Sequence, residues 1–465
     1  MSQTNSNTKE IHKEFILNGN LWAVMVSLSC PAILAMLLYG LNAVVSAAFV
    51  GRFVGEIALA GVSVAYPLTQ ISVGFGLFIG VGAGAVLSIA IGREDKSIQA
   101  RLLGTVNSLS LLITAVYMAA GLAFSAQLVK IMGGSGEVFI LGDRYFTITV
   151  MGAFFWIYGL AANMIVRAEG KMKAAAFIMG IGLVVDVLAN YVLVAELRLG
   201  VEGSAWATNI GMLVYTLLGW IYFGKGFASF KTEILAFYWD LAMVKAIIRL
   251  GMSSLISVIM TLAQGVVIFN ALAQYGTVLE TAFYGVVYRV FVFALTPIYG
   301  IMQALKPVVG INYGAGQYER VIYSYKLFTA GSLLLALPFW GISMTAPAFI
   351  LGLMLPEQGF SVTQLLYFRI YMAIMPLLAA IFMAMSFFPS IDKGKPAVMI
   401  GLARQLIFYV PVMIILPKWL GVSGIYFGSL AIDAIIVLGT VAMVKKEFVL
   451  LRAKDKPVVL GASGR

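Results

Sequence analysis

Apolar runs long enough to cross a bilayer recur from one end of this 465-residue chain to the other. Inside lipid no water meets an unpaired backbone N–H or C=O, so such runs persist only as helices or closed barrels. Their lengths exceed the roughly 10 residues of a barrel strand and predict helices. Twelve segments are predicted, at 20–49, 57–91, 101–130, 143–167, 174–196, 201–223, 244–275, 281–305, 319–352, 362–390, 396–418 and 420–444. A water-soluble globule is excluded, because only 11% of the residues are charged where about a quarter is usual. The expected fold is an all-α integral membrane protein with twelve transmembrane helices.

The basic residues test that map independently. All but seven of the 31 Lys and Arg residues fall at the termini or in and beside the connections that follow even-numbered segments; the exceptions are Arg52, Lys130, Arg144, Arg198, Arg289, Arg369 and Lys418. Lys and Arg beside span ends are retained on the cytoplasmic side, so both termini are expected in the cytoplasm of a multi-pass protein. The net charge of +11 is then a topology signal that also suits anionic membrane lipids, and it needs no nucleic-acid partner.

Several chemistries drop out. The one histidine, His12, lies in the polar leader, so no intramembrane histidine carries protons. Cys30 has no partner for a disulfide or a thiolate metal site and is expected to be a small buried apolar filler. There is no zincin pair, phosphate-binding loop or Ser-His-acid set, so neither an enzyme nor ATP-driven export by this chain alone is expected. No catalytic residue, cofactor or metal site is assigned.

The halves of the sequence echo each other about 222 residues apart. Ile91-Gly92-Arg93-Glu94-Asp95 is answered by Tyr313-Gly314-Ala315-Gly316-Gln317, Glu169-Gly170-Lys171-Met172-Lys173-Ala174 by Asp392-Lys393-Gly394-Lys395-Pro396-Ala397, and Gly200-Val201-Glu202-Gly203 by Gly421-Val422-Ser423-Gly424. Three motifs in one order argue for duplication. Six spans per repeat is an even number, so the repeats are parallel and enclose a pathway between lobes. The expected organisation is a leader (1–19), a first lobe (20–223), a cytoplasmic linker with an amphipathic, membrane-surface segment (224–243), a second lobe (244–444) and a tail (445–465).

Charges and amides inside apolar spans are costly, and mark function unless they are paired. Asp186 is a lone carboxylate in mid-span, and Asn190 four residues on shares its helix face. The second half carries Gln264, Asn270 and Arg289 as substrate-cavity candidates, with Arg369, Arg404 and Asp433; Asp433 either pairs with Arg404 or Arg369 as a structural tie or takes part in coupling. Arg289, about 13 Å along its helix from Glu280, either snorkels outward or lines the cavity. Met36, Tyr39, Tyr66, Phe155 and Met260 are candidates for an adaptable apolar wall.

Ser29 to Arg52, Gly82 to Arg93, Arg167-Ala168-Glu169-Gly170, Gly200 to Thr208 and Pro307 to Arg320 resemble motifs of the multidrug and toxic compound extrusion transporters, particularly their bacterial branch. The resemblance implies two six-helix lobes and secondary efflux of small amphipathic compounds, often cations, in exchange for H⁺ or Na⁺ across a bacterial or archaeal plasma membrane. A monomer is the expected working unit. It also implies a polar network among segments 1, 4, 5 and 6, making Asn163 and Thr208 further ion-coupling candidates beside Asp186, Asn190 and Ser46. Relatives of this branch commonly carry an aspartate where this chain has Ser46, and the usual Asn-to-Asp order of segment 5 is reversed here. A flippase for lipid-linked oligosaccharide or polyisoprenoid phosphate is the alternative, with Arg289 or Arg369 meeting phosphate.

Overall fold

A computed structural model describes residues 13–355 and 359–455; His12 lies outside the described residues, as do the other positions of 1–12 and 456–465 in the leader and tail. Among the described residues all regular structure is helical. The first half contains α1 (Leu21–Phe53), α2 (Glu56–Gly92), α3 (Lys96–Ala123), α4 (Ser125–Ile131), α5 (Gly136–Met151), α6 (Ala153–Ala168), α7 (Met172–Asn190) and α8 (Gly200–Gly224). The second contains α9 (Leu241–Tyr275), α10 (Val278–Gly314), α11 (Tyr318–Thr345), α12 (Pro347–Gly352), α13 (Val362–Ala373), α14 (Leu378–Ser390), α15 (Gly394–Leu402), α16 (Val410–Leu420) and α17 (Ser423–Asp455).

All twelve predicted segments land on helices, but several are not single straight ones. Among the described residues ten helical stretches, counting α13 with α14 and α15 with α16 as one each, are long and apolar enough to cross a membrane, and α5 with α6 makes an eleventh if that pair, bent by 53°, is one span. The 25-residue α8 is not among them, because Glu202, Ser204, Thr208, Asn209 and Thr216 dilute its apolar character. Of these, Ser204, Asn209 and Thr216 are buried.

The α5/α6 bend shows how a break survives in an apolar setting. Gly152 sits between the two helices with the side chain of Asn209 against it, and Asn209 Nδ2 donates to the carbonyl oxygen of Ile148 at 2.6 Å. Beyond the bend, Thr216 Oγ1 donates to the carbonyl of Phe155 at 3.0 Å. A neighbouring helix thus supplies partners to backbone groups where the helical ladder is interrupted, as burial requires. Segment 5 ends in a π-helical turn, Tyr191–Glu196, and segment 11 contains another, Ala403–Tyr409.

The halves meet along α1 and α2 on one side and α9 and α10 on the other. Backbone touches backbone there. A Cβ on Gly82 would strike the carbonyl of Ile247, and one on Gly251 the carbonyl of Phe78. Toward the end of the bundle that carries the linker, a Cβ on Gly92 would strike the carbonyl of Ile311, and one on Gly314 the carbonyl of Ile89. Small residues permit such approach between helices that share no apolar driving force in lipid. At the opposite end Leu41, Tyr66, Val266 and Phe293 are exposed.

One expectation is corrected. Cys30 is exposed on α1, not a buried filler. The linker is an irregular strap held down at several points, with Ala228 and Phe230 buried and Phe227, Leu235, Phe237 and Trp239 exposed. Asn107 Nδ2 donates to the carbonyls of Ile234 and Ala236 at 2.8 and 2.9 Å, Lys171 Nζ donates to the carbonyl of Phe227, and Glu169 accepts from the Ser229 N–H. Those side chains bond the strap's backbone directly, which satisfies it without a surface helix.

Candidate functional site

The apolar faces of α1, α6, α7 and α8 leave a cavity of about 440 Å³ inside the first half, lined by Tyr39, Asn42, Trp156, Leu160, Asp186, Thr208 and Tyr215 among others. Asp186 is 3% exposed. Its Oδ2 accepts from Asn42 Nδ2 at 2.6 Å and from Ser46 Oγ at 3.4 Å; its Oδ1 accepts from Asn190 Nδ2 at 3.1 Å. Every side-chain donor on this carboxylate is neutral, and among the described residues it forms no ion pair.

The spacing explains the assembly. Asn42 and Ser46 are one turn apart on α1, Asp186 and Asn190 one turn apart on α7, and the two faces oppose each other. Asn190 also donates to the backbone carbonyl of Asp186 at 3.0 Å, fixing its own rotamer. The amide oxygens of Asn42 and Asn190 are buried without a hydrogen-bond partner. The site therefore gathers one carboxylate, two unused amide oxygens and the Ser46 hydroxyl, an acceptor-rich set suited to a proton or a hard monovalent cation.

Other first-half candidates are placed as follows. Thr208 lines the same cavity, with its hydroxyl donating to the carbonyl of Ser204 at 3.1 Å. Asn163 turns elsewhere, donating to the carbonyl of Ala175 at 2.9 Å and accepting from Arg167 Nε at 2.8 Å. Met36 and Tyr39 pack partly buried against the core, Tyr66 is exposed, and Phe155 stands edge-on to Phe154. Sequence reasoning missed Asn42; the signal was its four-residue spacing from Ser46.

The second half has a larger polar cavity, about 580 Å³, bounded by Thr261, Gln264, Tyr288, Tyr299, Tyr371, Arg404, Gln405, Tyr409 and Asp433 among others. Arg404 grips Asp433 with both arms of its fork, Nε to Oδ1 at 2.7 Å and Nη2 to Oδ2 at 3.2 Å. Arg369 is not the partner: it is exposed, and its Nε donates to the carbonyl of Met344 at 2.9 Å. Gln264 lines this cavity, whereas Arg289 and Asn270 are exposed and outside its lining, and Met260 is half-buried. No group of His, Cys, Asp and Glu suited to a metal ion occurs among the described residues.

The MatE family model matches residues 31–192 and 252–415, one match in each half. The chain belongs to the MatE family. Membership makes the protein a multi-pass membrane transporter of the secondary type and not an enzyme. The multidrug export protein MepA of Staphylococcus aureus is 23% identical over 427 residues, which cover 90% of this chain and 92% of that protein. Among solved structures, a MATE protein in a bent conformation superposes with a TM-score of 0.89 at 20% identity, covering 96% of this chain and 99% of the other. A transporter of the MOP superfamily from Pyrococcus furiosus, described as having a binding pocket of reverse polarity, superposes with a TM-score of 0.85 at 21% identity, over 94% and 98% of the two chains. At these identities the structural matches speak to the fold.

Proposed function

We propose that this MatE-family protein exports amphipathic organic cations in exchange for H⁺ or Na⁺, by alternating access through a pathway between two six-helix lobes. The observation that carries the reading is Asp186: a buried carboxylate on a cavity wall, held only by neutral donors, beside amide oxygens with nothing to accept. Such a group is a standing cost in an apolar bundle unless a cation or a proton visits it.

The site works by competition. With its ion absent, the carboxylate attracts a cationic substrate into the cavity; when the ion arrives, the charge is neutralised and that attraction is lost. Tyr39, Trp156, Leu160, Met179 and Met212 give the substrate's apolar body a deformable wall. Asn42 and Ser46 on α1 bind the carboxylate of α7, so ion occupancy also alters how those two helices are held together.

Twelve spans with both termini in the cytoplasm fit the distribution of Lys and Arg. The reciprocal contacts Gly92 to Ile311 and Gly314 to Ile89, pairs separated by the same interval as the repeat, support a two-fold relation between lobes. On that topology the touching glycines close the cytoplasmic end and the pathway faces outward. Neither arginine invoked for a phosphate-carrying lipid lines the Asp186 cavity or the Arg404 and Asp433 cavity, which favours organic cations over the flippase reading.

Reconstitution in proteoliposomes with separately imposed H⁺ and Na⁺ gradients, followed by a panel of cationic, neutral and lipid-phosphate substrates, tests the proposal. Gradient-driven cation efflux that disappears in Asp186→Asn is expected. Undiminished ion-driven transport in that variant would overturn the assignment of Asp186.

A further inference from the structure

A third charged cavity lies between the halves, nearer the linker end and apart from both the Asp186 site and the Arg404 and Asp433 cavity. It encloses about 350 Å³ where α2 and α6 of the first half meet α10 and α14 of the second. Arg167 and Lys306 both line it, and no Asp or Glu does.

The donors in this cavity lack acceptors. Arg167 is 4% exposed; its Nε is taken by Asn163 and one terminal nitrogen touches the Met179 sulfur at 3.4 Å, but Nη1 is buried with no partner. Lys306, half-buried, makes no hydrogen bond or ion pair with any described residue. The Ser386 hydroxyl is buried and unpartnered as well, and the Gln303 side-chain oxygen beside it is an acceptor without a donor. Buried polar groups are almost always satisfied, and orphaned donors on residues that line one cavity need a reason.

Water could meet the hydrogen-bonding need but would leave two like charges in a medium of low polarity. An anion accepts from the Arg167, Lys306 and Ser386 donors and offsets the charge. The rest of the lining, Gly80, Val81, Gly84, Ala85, Met164 and Pro307, is apolar, which makes a singly charged, weakly hydrated ion cheaper to enclose than a doubly charged one.

We propose that this cavity binds a small inorganic anion of the halide class, held between Arg167 of the first half and Lys306 of the second with Ser386 as a further donor. One cation comes from each half, so the anion ties the seam together in the arrangement where Gly92 and Gly314 touch. Without it the two charges push the halves apart.

The test uses the full-length protein, delipidated in detergent in a gluconate buffer, and reads thermal unfolding as chloride, bromide or phosphate is added. A saturable rise in midpoint of at least about 2 °C is expected with either halide and a smaller one with phosphate. Lys306→Met and Lys306→Gln are expected to unfold in gluconate at or above the wild-type temperature and to gain nothing from halide. Anomalous diffraction from bromide-soaked crystals should place the ion between Arg167 and Lys306. No halide effect in the wild type, an undiminished effect in both Lys306 variants, bromide found only elsewhere, or a response to phosphate or added anionic lipid alone would each overturn the proposal. None of these readouts depends on transport, so they stand or fall separately from Asp186.

Discussion

Asn42 donates its side-chain amide to Asp186 Oδ2 at 2.6 Å, 0.8 Å closer than the hydroxyl of Ser46 reaches the same atom. The residue that anchors the carboxylate to α1 is therefore the asparagine. Asn42→Ala should impair ion-driven transport more than Ser46→Ala, by roughly tenfold if a charge-assisted bond of ~1.5 kcal/mol is lost. Initial rates in proteoliposomes under one fixed gradient measure the ordering; equal effects, or a larger one at Ser46, would refute it.

The Arg404 and Asp433 pair is deeply set, with side chains 14% and 6% exposed. Removing one partner strands the other's charge, at a cost of about 3–5 kcal/mol. Asp433→Asn and Arg404→Met should each lower the unfolding temperature in detergent, while Arg404→Met with Asp433→Leu recovers most of the loss. A double variant no better than the worse single one would show that the charges serve something beyond each other.

At the seam, Gly92→Val must collide with the carbonyl of Ile311. That end should then spread, which labelling can follow. In a Cys30→Ser background, Ser88→Cys should react with a membrane-impermeant thiol reagent faster when Gly92→Val is present, and Gly314→Val should act alike because it meets Ile89 in the reciprocal position. Unchanged labelling in both would mean the helices adjust without parting.

Burial pushes the Glu169 carboxyl above its ordinary value of 4.5, against the opposing pull of Lys171, Ser229 and Tyr222. A carboxyl raised in the folded state binds its proton more tightly there than in the unfolded chain, so its contribution to stability is full below 4.5 and is lost as pH rises through the folded value. Glu169→Gln should flatten that part of the stability profile. Removal of the acceptor in Glu169→Ala should also free the strap around Ser229, read as faster proteolysis between α8 and α9.

Much of the architecture could be read from the chain because lipid allows so few backbone solutions: an apolar run of sufficient length becomes a helix. What escaped were features decided by a neighbouring helix. The bend at Gly152 depends on Asn209 reaching across from α8, and nothing local to residues 143–167 announces it. The same holds for the site. Asp186 stood out as a lone charge, and Asp433 as one that needed a base, but the choice of Arg404 over Arg369 rested on geometry. Asn42 went unnoticed since an amide in an apolar run carries little signal until its partner is known. The linker's anchoring was equally hidden, because Asn107 and Glu169, far away in sequence, bind its backbone.

The meeting of Gly92 with Gly314 and its neighbours bears on how easily the molecule can change shape. Interlocked side chains must leave their rotamers and abandon many close contacts before two helices separate. A bare-backbone crossing has no such interdigitation, so parting it requires little local rearrangement and exposes little apolar area. A seam built on glycine acts less like a zip than like two smooth plates: firm while pressed together, quick to release, and able to close again in the same register.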